Sequence, residues 1–149
     1  MRTAVAILVT LAAAGACGQS NEPTAVAQMG LADPNVRAKL RAMALQASSA
    51  DGVPSPKTIE AVASPDHQAA EKIVSGDIVY DHVAVYVVDV TGGTFTDNTA
   101  STPPGAPAPT GSVLTFTVDA QSFRVTDDGL LKGTAPDLTQ IGPVVNLYP

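Results

Sequence analysis

The chain has 149 residues, enough for one domain. Its 8 basic residues face 14 acidic ones, a net charge of −6; this excludes nucleic acid as a default partner, because neutralising phosphates takes a basic face. Three Tyr, three Phe and no Trp predict a thin core of β-branched residues, and a single cysteine excludes an intrachain disulfide.

Met1-Arg2-Thr3 starts the chain with a positive charge, and Ala4 to Ala14 follows with one polar residue. That length suits the apolar region of a signal peptide and is too short to span a bilayer. Ala14-Gly15-Ala16 then leads into Cys17. The segment resembles the lipobox of bacterial lipoproteins, in which small residues precede the cysteine that becomes the acylated first residue. The resemblance implies a signal peptide over 1–16, a lipid anchor at Cys17 and an extracytoplasmic, membrane-attached location. The same triplet fits the A-x-A rule of ordinary signal peptidase, so plain secretion is the alternative. An exported chain with one unpaired thiol is unusual, whereas an acylated thiol explains it.

Residues 17–32 are polar, carry Pro23 and Gly30, and read as a flexible tether. Asp33-Pro34 is a cap followed by proline at the first helical position, and Val36, Leu40 and Met43 recur at helical spacing. An amphipathic helix is therefore expected over 33–48. Arg37 and Arg41 flank its apolar stripe on one side and Lys39 on the other. Such flanks suit a membrane surface, but they also suit a helix docked on its own domain, the favoured reading.

The remainder, 57–149, is expected to be a small α+β domain: an antiparallel sheet of three or four strands with one packed helix. Thr58 to Ala63 is a weak strand. Ser64-Pro65 and Asp66 start a helix that reaches about Ser75, with Gly76 as its stop. Val83 to Val90 is apolar at both parities until Asp89, which places it centrally in the sheet, and Gly92-Gly93 suggests a bulge. Val113 to Ala120 alternates, as do Phe123 to Thr126, which puts one face on a core and Thr115 and Thr117 in water; a hairpin turns at Asp119 to Ser122, with Asp127-Asp128-Gly129 as a closing turn. The loop over 97–111 has prolines at 103, 104, 107 and 109 and is expected to be exposed. Asp137 to Gly142 reads as one capped turn, with Leu138 and Ile141 pinning the tail.

The ladder VLTFTVDAQSFRVTDDG resembles the end of PepSY-type domains, exported modules with a helix on an antiparallel hairpin. Val118-Asp119-Ala120 and Val125 match, Ser122 takes the place of a threonine, and Phe123 stands where glycine is usual. Phe disfavours positive φ, so a different turn is expected. The resemblance spans roughly residues 58–128 and implies a role in restraining or assisting an exported enzyme. The PPGAPAPTG segment also resembles small secreted actinobacterial proteins, which implies no activity.

The pattern assigns no catalytic residue, no cofactor and no metal ligand. There is no serine elbow, no HExxH and no phosphate-binding glycine loop. His67, next to a helix cap, is expected to be solvated. His82 stands beside Asp81, a pairing that can serve as a base dyad, but a strand end in water is the favoured reading. Asp127 and Asp128 are adjacent and would point to opposite faces of a strand. The leading expectation is a non-catalytic envelope module, anchored in membrane lipid through Cys17, that binds a protein or peptide at a sheet edge or at the Pro-rich loop. The alternatives are a small hydrolase using His82 with a carboxylate, and a carboxylate metal-binding module.

Overall fold

The structure is a computed structural model and describes residues 30–148; the signal segment, Cys17 and most of the tether lie outside them. Residues 30–32 are helical, and Leu31 is buried in the core, so the end of the expected tether belongs to the fold.

Helix α1 spans Pro34–Ala50. The Asp33 side chain caps it by accepting from the Asn35 amide at 2.8 Å, and Pro34 occupies the first turn, where its missing N–H costs nothing. Leu40, Ala44 and Ser48, four residues apart, are its buried stripe. Its basic flanks close over aromatic rings: Lys39 Nζ lies 3.9 Å from the Phe123 ring centroid, and the Arg41 guanidinium lies 5.6 Å from that of Tyr148.

The strands are β1 (Thr58–Ser64), β2 (Val85–Thr96), β3 (Thr110–Asp119), β4 (Val125–Leu131) and β5 (Val145–Asn146). They form one five-stranded sheet in the order β4-β3-β2-β1-β5, with every neighbouring pair antiparallel. The α+β class is as expected; the sheet gains its fifth strand from the two-residue β5, which is too short to show a period. β2 is central and buried from Val85 to Val90. Its register slips between Thr91 and Phe95, where Gly92 adopts φ +107°. A Cβ there would come within 2.4 Å of the Lys57 amide nitrogen, so the bulge requires glycine on both counts.

Helix α2 spans His67–Val74 on the opposite face from α1. Asp66 is its cap, accepting from the Ala69 amide at 3.2 Å, two residues later than the Ser64-Pro65 signal suggested. Ser64 instead braces the entry, its hydroxyl bonded to the Asp66 backbone. Ala70 and Val74 pack on Val62, Val85 and Val87, and the 3-10 turn Leu138–Gln140 adds Leu138 beside them. Asp137 caps that turn through Thr139.

Two turn assignments change. Asp127-Asp128-Gly129 lies inside β4, since extended backbone accepts these residues on an edge. The β3–β4 turn bends through Phe123 at φ +58°, the left-handed region that its bulk disfavours. Its ring packs 5.9 Å from that of Tyr86 and beneath Lys39, contacts that offset a strain of about 1–2 kcal/mol.

Candidate functional site

His67 opens α2 and is only 3% exposed, contrary to the expectation of a solvated residue. Its ring points across the sheet to β4. Nε2 lies 2.9 Å from Asp127 Oδ2 and 3.6 Å from Glu71 Oε1, one helical turn further along α2. Nδ1 lies 3.4 Å from Asp81 Oδ2. Asp81 reaches it because the segment after α2 folds back: the His67 amide donates to the Val83 carbonyl, and the Gln68 amide to the Asp81 carbonyl, both at 3.0 Å. The Glu71 carboxylate is buried as well and accepts from the Thr117 hydroxyl of β3 at 2.5 Å.

The three groups His67, Glu71 and Asp127 present ligand atoms within 4.8 Å of one another. Sequence reasoning missed the cluster because its members come from α2 and from a strand 56 residues away in number. The H-x-x-x-E spacing on a capped helix was the one local signal, and on its own it is common. Two openings serve the cluster. One cavity, about 310 Å³, is lined by Glu71, Thr115, Thr117, Asp127 and Gly129. A wider one is lined by His67, Asp81 and Asp127.

Next to the cluster on the same sheet face lies Asp89, 2% exposed and without a hydrogen-bond partner, as is the Thr115 hydroxyl opposite it on β3. Burial pushes the Asp89 carboxyl up to about 6; the Thr115 hydroxyl beside it lowers it in part, and the Glu60 charge raises it further.

His82 is exposed and faces Asp66 rather than Asp81: its Nδ1 lies 3.0 Å from Asp66 Oδ2. Burial works against ionisation at Asp66, but the bonds from His82 and the Ala69 amide outweigh it and hold the carboxyl below its usual range. Asp127 and Asp128 do diverge. Asp128 turns to the α1 side, where it joins Asp51 and Asp97 at a groove of about 280 Å³ floored by Leu114 and Phe116 and walled by Met43, Ala47, Val125 and Leu130. Burial, then the charges of Asp97 and Asp128, push the Asp51 carboxyl up.

No protein family, curated protein or solved structure matches this chain. Among the described residues, no helix is long and apolar enough to cross a membrane.

Proposed function

We propose that the protein is an extracytoplasmic module, tethered to membrane lipid through Cys17, that binds an extended peptide along β4 and catalyses no reaction. One observation carries the peptide reading: the groove between α1 and the edge strand β4 joins an apolar floor to three carboxylates, Asp51, Asp97 and Asp128. β4 ends the sheet, so its outer backbone groups are open to a further strand. A strand laid there puts every second side chain over the groove. Apolar side chains fit its floor, and a Lys or Arg offsets the charges of Asp97 and Asp128, which add to burial in raising Asp51. The preferred partner is thus a segment alternating apolar and basic residues.

Fluorescence anisotropy tests this with two labelled heptapeptides, one alternating Leu and Lys, the other Leu and Glu. The Lys peptide binds the full chain, more weakly as salt rises, and Asp128→Lys abolishes the preference. Equal binding of both peptides, or of neither at low salt, overturns the peptide reading. The anchor is tested separately by mass spectrometry of the native protein. A mature chain starting at an acylated Cys17 is expected; an intact Met1 or an unmodified Cys17 overturns it.

A further inference from the structure

We infer that His67 Nε2, Glu71 and Asp127 form a binding site for one divalent transition-metal ion of the zinc type. The argument begins with the imidazole. A neutral ring has one donor and one acceptor nitrogen, and an acceptor facing a carboxylate is repelled. Both nitrogens of His67 face carboxylates, Asp81 at Nδ1 and Asp127 at Nε2, with Glu71 beside the latter. A cation at Nε2, either a second proton or a metal, relieves this conflict at both nitrogens. One proton leaves three carboxylates facing a single positive charge, whereas a divalent ion bound to the neutral ring brings two.

The distances also admit the metal. Bonds of about 2.0–2.2 Å in a tetrahedral zinc site put neighbouring ligand atoms roughly 3.3–3.5 Å apart. The observed 2.9 and 3.6 Å from Nε2 bracket that span, and all three ligand atoms lie within 4.8 Å of one another, so side-chain adjustments bring them onto one ion. One nitrogen with two carboxylate oxygens is a set that zinc-type ions accept. The supporting contacts are also those of a metal site. Asp81 is placed to accept a proton on Nδ1, which would leave the Nε2 lone pair toward Glu71 and Asp127, and Thr117 orients Glu71 through its 2.5 Å bond.

A second, independent observation concerns the cavity that meets the cluster at Glu71 and Asp127. Thr115 lines it, and its hydroxyl is buried beside Asp89 without a hydrogen bond of normal geometry. A polar space of this kind suits the water that completes the shell of a three-ligand zinc ion. On binding, the ion forms a bond to Nε2, and any proton held there passes to solvent.

The site is tested on the full chain carrying Cys17→Ser, which removes the competing thiol. Calorimetry with zinc alone is expected to show one ion per chain, and binding raises the melting temperature. Glu71→Gln and Asp127→Asn each weaken binding by tenfold or more, Asp81→Asn weakens it by about 10–100-fold, and His82→Ala leaves it unchanged. Asp127 lies on the half-exposed edge strand, so Asp127→Asn keeps the test open if Glu71→Gln does not fold. Imidazole nitrogen NMR reads the bond directly: zinc moves the Nε2 resonance of His67. No bound zinc, binding undiminished in Asp127→Asn, or an unmoved Nε2 resonance overturns the site.

Discussion

On the α1 side of the sheet, Ile59, Ala61, Val88, Val90, Leu114, Phe116 and Val118 meet Leu40 and Ala44 in one apolar cluster. On the other side the same strands present Val62, Val85 and Val87 to α2, and then, toward β4, the polar set Asp89, Thr115 and Thr117. The difference follows from helix length. The 17 residues of α1 supply an apolar cover, whereas the 8 of α2 reach only part of their face. Where α2 stops supplying Ala and Val it supplies His67 and Glu71, so burial there is bought with polar groups that need partners. One face holds the fold together, and the other carries a buried polar set.

The largest effect that separates the faces is a cavity under α1. Leu40 is fully buried, and Leu40→Ala is expected to cost roughly 2–5 kcal/mol, read as a lower midpoint in urea. A substitution there that left the midpoint unchanged would break the assignment of the core to this side.

Asp89 gives the next effect, with the opposite sign. Its folded carboxyl titrates near 6, against an ordinary value of 3.8, so the folded state holds the proton more tightly. The stability it contributes is complete below about pH 4 and is lost as pH rises through 6, a swing of ~3 kcal/mol. Asp89→Asn is expected to flatten the dependence of stability on pH between 4 and 7. Urea titrations at several pH values check this; an equally steep profile in the variant would place the titrating group elsewhere.

The smallest effect lies at the end of α2. Gly76 adopts φ +79° with open space around its Cβ position, so Gly76→Ala tests backbone strain alone. It is expected to cost about 1–2 kcal/mol, visible as a modest drop in melting temperature.

Local chemistry explains what was legible in the sequence. The Asp33-Pro34 cap, the central place of β2 and the glycine bulge each depend on neighbours in the chain, and each appears in the structure where its residues predicted; β3 alternates in facing, but Thr115 and Thr117, expected in water, are buried because α2 and β4 cover that face. The helix stripe was offset: Leu40 is buried, but Ala44 and Ser48 complete the stripe where Val36 and Met43 lie at its margins, because the small residues permit close approach to the sheet. The histidines show the limit. His67 and His82 both sit near aspartates in sequence, and only the fold-back of residues 81–83 decides that Asp81 serves His67 while Asp66 serves His82. Phe123 at positive φ was also out of reach, since the contacts that stabilise it come from Lys39 and Tyr86.

The Pro-rich loop leaves the sheet and returns to it at one point, where the Asp97 amide donates to the Pro109 carbonyl at 2.9 Å beside the Thr96–Thr110 pair. The clasp at its base isolates the intervening stretch, most of which is in solvent. Cutting the chain at Gly105 and rejoining it elsewhere, or splicing a reporter into that position, would therefore disturb neither face of the sheet, which makes the loop a natural handle for circular permutation and labelling.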